Sequence, residues 1–326
     1  MITLKKASGK DFTILNITDP QLGDPEWADG HVNRQILEYT IRTLIEKCKP
    51  DLITVSGDLA WAGYNHAYTM LADFLEQFQI PWAPIWGNHD NQHGAAYIDE
   101  IANKYLTYPH CIYEKGIPAL GNGNYVIHIE ENGKPVEAIF MMDSHDKEDY
   151  TDDKGETRKE WAKLTPMQME WYKQQAALLK AEGYKDATLI LHIPLYAYRT
   201  ASLAAFKQGI PLNTVTLEQS ANGECWNEGY ENSAGVQHEN ISSYPADDGV
   251  FEVLKQDGFV KHILAGHDHV NNWIIPYEGI TLIFALKTGA GCYWEPALNG
   301  GTVFKVNQDG VYSVSHEYVD ISHLIK

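Results

Sequence analysis

With 326 residues, 44% of them hydrophobic and 21% charged, the chain has the balance of a globular protein with ample core. Its net charge of −19, histidines taken as neutral, repels nucleic-acid backbones and anionic membranes and argues against both as partners. No stretch approaches the ~18 apolar residues of a membrane span, and four scattered cysteines (Cys48, Cys111, Cys225, Cys292) read as free thiols of a reduced compartment, which gives a cytoplasmic expectation.

The N-terminal segment lacks an uninterrupted apolar run and reads as the lead-in to a strand, not as a signal peptide. "FTILNITD" is the first clear strand and ends in Asp19. The helix "VNRQILEYTIRTLIEKC" follows, with Leu37, Ile41, Leu44, Ile45 and Cys48 on one face. "DLITVSGD" is the next strand, and "NHAYTMLADFLEQF" a second helix with Asn65 as its expected N-cap. "WAPIWGNHD" reads as a third strand, although Pro81 and Pro84 are unusual inside a central one. This βαβαβ rhythm predicts a largely parallel sheet flanked by helices.

Further along, "NYVIHIEENGKPVEAIFMMD" predicts a hairpin about Asn132-Gly133. The polar run "TDDKGETRKE" predicts an exposed loop over 151–160. "TPMQMEWYKQQAALLKAE" is a helix opened by a Thr165/Gln168 capping box with Pro166 at its first position. "ATLILH" is a buried strand. Residues 200–249 lose periodicity, and an irregular stretch of that length inside a compact domain is commonly functional. A short helix ("GVFEVLKQ"), the strand "VKHILAGHDH" and several short strands complete the chain. No internal repeat is present.

Ligand-type residues recur where strands end. Asp19 closes the first strand, Asp58 the second, Asn88 and His89 the third, His192 a later one, and His267 and His269 the last. The carboxyl ends of strands form the ligand-binding edge of α/β sheets. Taken singly, a strand-end Asp is more commonly a turn or cap residue, and a lone His a satisfied core residue. Taken together, in five separate strands, they point to a shared site. Carboxylate, imidazole and amide donors suit Zn, Mn or Fe, and the lack of Cys argues against a thiolate zinc site. Two metals ~3.5–4 Å apart, joined by a bridging carboxylate, generate a hydroxide nucleophile and favour in-line displacement at phosphorus. The remaining histidines, His145 among them, are set aside as surface or core residues.

The ordered set Asp, G-D, G-N-H-D, H-x-P, G-H-x-H resembles the calcineurin-like metallophosphoesterase superfamily over about residues 12–290. "GVQHENISS" followed by "GVFEVLKQDGFVKHILAGHDHVNNW" resembles its purple-acid-phosphatase-like branch. The resemblance implies an α/β fold, a four-layer α/β/β/α sandwich of two mixed sheets flanked by helices, as one domain over 1–326. It implies a dinuclear centre. Asp19 and His269 would hold the first metal, Asp58 would bridge, and Asn88, His192 and His267 would hold the second. His89 would contact the phosphate and stabilise charge or protonate the leaving oxygen, with Asn88 also beside the substrate. Two positions depart from the pattern. Gln21 stands where most relatives have a histidine, and its amide oxygen is a weaker ligand that favours a harder ion such as Mn. Trp61 stands where the purple enzymes have their charge-transfer tyrosine, so a colourless or pale protein is expected.

Two divalent ions, about +4, against two carboxylates and a hydroxide, about −3, would leave the cluster positive despite the acidic surface. The implied function is hydrolysis of a small or peptide-borne phosphate ester by attack of a metal-bridging hydroxide, with two ions drawn from Fe, Mn and Zn. The alternatives are a cyclic-nucleotide or other phosphodiesterase and a catalytically weak binding scaffold of the same fold. Residues 200–249 lie between His192 and the GHDH strand, so a cap-like insertion is expected there. Arg199, Tyr230 and His238 are its candidate substrate contacts.

Overall fold

The structure is a computed structural model that describes residues 2–325. Its elements run β1 (Ile2–Lys6), β2 (Phe12–Ile17), α1 (Val32–Cys48), β3 (Leu52–Ser56), α2 (Asn65–Glu76), β4 (Trp82–Ile85), α3 (Asn88–Asn91), α4 (Ala95–Tyr105), β5 (Tyr125–Glu131) and β6 (Lys134–Met141). They continue with β7 (Lys147–Thr151), β8 (Thr157–Trp161), α5 (Pro166–Glu182), β9 (Ala187–Leu191), α6 (Ala197–Ala205), α7 (Leu217–Ala221) and α8 (Val250–Asp257). The chain closes with β10 (Val260–Ala265), β11 (Ile274–Tyr277), β12 (Ile280–Phe284), β13 (Gly300–Asn307) and β14 (Gly310–Tyr318).

Two mixed sheets organise these elements. One has the order β14-β13-β2-β3-β4, the other β1-β5-β6-β9-β10-β12-β11. In the first, β2, β3 and β4 are parallel, and β13 and β14 join antiparallel. In the second, β6, β9, β10 and β12 are parallel neighbours. β2 and β3 are buried along their whole length, as strands covered on both faces must be. Alternate residues of the larger sheet serve two cores. Ile127, Ile139, Ile190 and Leu264 pack toward the smaller sheet with α1, α2 and α4. Val126, Phe140, Leu189 and Ile263 pack with residues of α5, α6 and α8. The period-2 alternation of strands thus produces four layers, helix-sheet-sheet-helix.

The helix α1 has the expected bounds, and Leu37, Ile41 and Leu44 are buried. Asn65 does not cap α2: it is the first helical residue, and the orphan amide of Ala67 is taken by Asp24 Oδ1 at 2.7 Å, a cap supplied from a distant turn. Pro84 is tolerated because β4 is an edge strand. The Asn132-Gly133 turn has positive φ at both residues (54° and 73°), as a two-residue hairpin requires. The capping box of Thr165 and Gln168 is present. The 151–160 run is not a loop but most of a β7-β8 hairpin. It is a two-stranded ribbon exposed on most of its length, so its sequence carries no apolar stripe to reveal it.

Residues 200–249 include the end of α6 and the short α7. Phe206, Val215, Cys225, Trp226, Val236 and Ile241 pack into the second core. All four cysteines are free thiols. No helix among the described residues is long and apolar enough to cross a membrane.

Candidate metal centre

The two sheets bring their carboxyl edges together, and the ligand-type residues collect there. The smaller sheet supplies Asp19 and Gln21 after β2, Asp58 after β3, and Asn88 and His89 after β4. The larger supplies His192 after β9 and His267 and His269 after β10. Asp19, Gln21, Asp58 and His267 all have positive φ (53°, 43°, 49° and 78°), a conformation that costs free energy in non-glycine residues and clusters at functional sites. Two glycines of the motifs are fixed by close approach. A Cβ at Gly57 would lie 2.4 Å from His192 Nδ1, and one at Gly87 would lie 2.2 Å from Asp58 Oδ1. "SGD" and "GNHD" need their glycines so that the ligand side chains can lie against the backbone.

Asp19, Gln21, Asp58, Asn88, His192, His267 and His269 are all buried. His192 Nε2 lies 3.1 Å from Asn88 Oδ1, 3.3 Å from Asp58 Oδ2 and 4.0 Å from Asp19 Oδ1. His269 Nε2 lies 3.3 Å from Asp19 Oδ1. One ligand atom each from Asp58, His192 and His267 falls within 4.8 Å of the others. Gln21 Nε2 is 3.4 Å from Asp58 Oδ2. Asp58 therefore touches both groups of residues, the Asp19/Gln21/His269 side and the Asn88/His192/His267 side.

The outer contacts fix the orientation of these side chains. His192 Nδ1 donates to the Ser56 carbonyl (2.8 Å) and His269 Nδ1 to the Tyr293 carbonyl (2.7 Å), which turns each Nε2 toward the carboxylates. Asp58 Oδ1 accepts from the His89 amide at 2.9 Å, and Asp19 Oδ2 accepts from Thr18 Oγ1 and the His267 amide. Three buried ligand-type atoms have no hydrogen-bond partner: Asp19 Oδ1, Gln21 Oε1 and His267 Nε2. Orphaned buried polar atoms are costly, and a carboxylate oxygen, an amide oxygen and an imidazole nitrogen of one buried cluster are donors that fit a cation.

The electrostatics agree. Burial alone would raise the Asp19 carboxyl, but His192, His269 and Lys287 hold it far below the usual carboxylate range. Asp58 is likewise lowered, against its burial, chiefly by His192. Burial disfavours charge on His192, yet Asp58 and Asp19 raise it to about 10. Burial, and then the neighbouring His192, lowers His267 to about 3, so its imidazole stays neutral. The centre is a place where two buried carboxylates demand positive charge.

His89 is half-buried beside this cluster. Its Nδ1 accepts from Gln92 Nε2 at 2.7 Å, and the Trp61 ring lies 4.3 Å from its own, centroid to centroid. Two more rings frame the edge. Trp161, at the end of the β7-β8 hairpin, lies 4.4 Å from His267, and Tyr293 stacks on His269 at 4.1 Å. Sequence reasoning missed both. Trp161 closes a polar run, and Tyr293 follows no strand pattern, so neither carried a signal.

Of the three expected loop contacts, Tyr230 lies away from the cluster, and the polar ends of Arg199 and His238 are taken by other partners. Tyr230 packs beside Tyr277 and Glu278, at the β11-β12 turn and so at the opposite end of the sheet from the GHDH segment. Arg199 is committed to Ser243, through Nε at 2.7 Å and Nη2 at 3.0 Å. His238 is held between Glu295 and the Val215 carbonyl, both at 2.8 Å. His145 pairs with Asp143 and Gln168, outside the ligand set.

With fold and site in view, the class is defined. A family model for calcineurin-like phosphoesterases matches residues 12–271, and the chain belongs to that family. Among named relatives, it is 28% identical over 272 residues to "Probable inactive purple acid phosphatase 14" of Arabidopsis thaliana, covering 76% of this chain and 60% of that protein. It is 24% identical over 266 residues to "Probable inactive purple acid phosphatase 29" of the same plant, covering 76% and 62%. The chain thus spans about three-fifths of the length of these relatives. Among solved structures, a dimetal phosphatase from Danio rerio superposes with a TM-score of 0.56 over 94% of this chain and 98% of that one, at 12% identity, a likeness of fold. The two mixed sheets flanked by helices are the metallophosphoesterase architecture.

Proposed function

We propose that the chain is a dimetal-dependent phosphoesterase acting on a small or peptide-borne phosphate ester. The observation that carries this reading is the convergence of ligand atoms of Asp58, His192 and His267 within 4.8 Å, in a buried cluster where Asp19 Oδ1, Gln21 Oε1 and His267 Nε2 have no hydrogen-bond partner. Asp19, Gln21 and His269 would hold one ion and Asn88, His192 and His267 the other, with Asp58 shared. Two such ions, Fe, Mn or Zn, supply Lewis acidity and a nucleophilic water near neutral pH.

The chain's own groups do the rest. Lys287 and the Thr18 hydroxyl fix Asp19. Gln92 donates to His89 Nδ1, which places the ring proton on Nε2. That N–H is free to donate a hydrogen bond to a phosphate or leaving-group oxygen and so to stabilise charge there. The stretch 239–243 frames the mouth. Glu239 accepts from Tyr293 Oη at 2.8 Å and from the Val270 amide at 2.9 Å. Within 200–249, Glu239 is therefore a further candidate substrate contact, since it holds the Tyr293 ring that stacks on His269.

A second reading, a phosphate-ester-binding scaffold with little catalysis, draws on Gln21 and on the relatives named as inactive. Metal analysis of the purified protein separates the two, paired with hydrolysis of p-nitrophenyl phosphate and its bis-ester under added Mn, Fe or Zn. Two ions per chain and turnover abolished by Asp58→Asn support the enzyme and rank monoester against diester. One ion or none, with no turnover under any metal, supports the scaffold.

A further inference from the structure

The loops that carry Gln21 and Asp58 also border an open cavity of about 400 Å³ next to His89. Gly23, Pro25, Glu26, Trp61, Ala62 and Tyr64 line it. Gly23 follows Gln21 by two residues and Trp61 follows Asp58 by three, so the cavity begins where the ligand loops end. Trp61 belongs to both places, since its ring lies 4.3 Å from that of His89.

The walls are fixed. Glu26 accepts from the Gly23 amide (2.7 Å) and from Asn33 Nδ2 (2.6 Å). The Ala62 amide donates to the His89 carbonyl at 3.3 Å, and the Gly63 amide donates to Tyr97 Oη at 2.8 Å. The two large rings are not satisfied in this way. Among the described residues, neither the Trp61 indole N–H nor the Tyr64 hydroxyl has a partner, Trp61 is only half-buried, and Tyr64 is 41% exposed. The single charge on the lining is the Glu26 carboxylate, which disfavours a second anion there.

We propose that this cavity takes the organic part of the substrate, and that it selects a planar, uncharged aromatic group carried on a small phosphate ester. The inference rests on the phosphoesterase reading, in which His89 faces the leaving oxygen. A group departing past His89 enters a space bordered by Trp61, whose ring lies 4.3 Å from that of His89, and by Tyr64 and Pro25. Stacking on one or two such rings changes binding by about tenfold.

The test uses the full chain loaded with Mn. It compares kcat/KM for two matched pairs, benzyl against cyclohexylmethyl phosphate and adenosine 5′-phosphate against ribose 5-phosphate. Within each pair the leaving alkoxides are alike and only the aromatic group differs. The expected result is a preference of about tenfold for the aromatic member of at least one pair, and that pair identifies the benzyl-type or nucleoside-type source. The ratio should collapse toward one in Trp61→Leu and in Tyr64→Leu. No preference in the unaltered protein, or a preference that survives both substitutions, overturns the proposal. If no ester turns over, the catalytic reading fails. The cavity is then judged on binding alone, by calorimetry with benzylphosphonate and cyclohexylmethylphosphonate. Tighter binding of the benzyl compound by about tenfold retains it, and equal affinities overturn it.

Discussion

His192 Nε2 lies 3.3 Å from Asp58 Oδ2, although the two residues follow strands of different sheets. A cation held by both would tie the sheets together at their shared edge. Any ion that binds only the folded state stabilises it, by about 2.7 kcal/mol at a hundredfold excess over Kd. Added Mn or Zn should therefore raise the melting temperature of the chelator-treated protein. Asp58→Asn should remove at least ~100-fold in metal affinity and flatten that response. Thermal melts with and without metal, on both proteins, check it.

Gln21 adopts φ 43° and presents an unpartnered buried Oε1. Histidine is among the residues that tolerate this left-handed region, and imidazole binds a borderline metal better than an amide does. Gln21→His should fold and should hold the ion on the Asp19 side at least ~10-fold more tightly. Metal retained after dialysis, measured per chain, is the readout. Unchanged stoichiometry and affinity would mean that position 21 does not ligate.

Asp90 organises the loops beneath Asp58. Its oxygens accept only: from the Gly87 amide at 2.7 Å, Tyr68 Oη at 2.7 Å and the Leu59 amide at 3.2 Å. An asparagine there would aim an N–H₂ group at N–H and O–H donors. Asp90→Asn should cost about 1–3 kcal/mol and weaken metal binding through the displaced Asp58 loop. Tyr68→Phe removes one donor and should cost about 1 kcal/mol. Urea unfolding with metal titration of both variants separates the two effects.

The clustering of these carboxylate, amide and imidazole residues was legible because each member follows an apolar strand at a sharp turn, and the glycines of "SGD" and "GNHD" mark the close approach to His192 and Asp58. The two sheets were legible from the β2-β3-β4 rhythm and the 132–133 turn. The β7-β8 hairpin was not, since an exposed ribbon needs no apolar stripe. Nor was the helix α6 (Ala197–Ala205), whose larger part lies in the segment 200–249 that shows no periodicity. Tyr230 shows the limit for site residues. It lies in a segment between two site motifs, yet the chain carries it to the far end of the sheet. Trp161 and Tyr293 reach the centre only through tertiary packing, which no local pattern encodes.

Trp61 predicts a protein without strong colour. A purple centre needs a tyrosinate ligand, and the residue three beyond Asp58 is an indole whose ring lies against His89. Tyr64 sits on the neighbouring cavity, and Tyr293 directs its hydroxyl to Glu239. Iron-loaded protein should show no intense visible charge-transfer band. A strong band would require a tyrosine to move into the centre, and loss of that band in Tyr64→Phe or Tyr293→Phe would name it.

Glu137 gives a pH dependence unconnected with the metal edge. It is buried between the sheets, where Oε1 accepts from Thr188 Oγ1 (2.9 Å) and Oε2 from the Val311 amide (3.3 Å). Burial raises its carboxyl from 4.5 to about 8. A folded-state pKa above the unfolded one means that the folded protein keeps a proton the unfolded chain releases. The stability this contributes is complete below about pH 4.5 and is lost as the pH rises through about 8. Glutamine reproduces the protonated shape, with Oε1 on the Val311 amide and Nε2 donating to Thr188 Oγ1. Glu137→Gln should match the wild type near pH 5 and exceed it by a few kcal/mol near pH 8. Urea midpoints for metal-free protein at the two pH values decide it: a stability difference that does not grow with pH would mean that Glu137 is ionised in the fold.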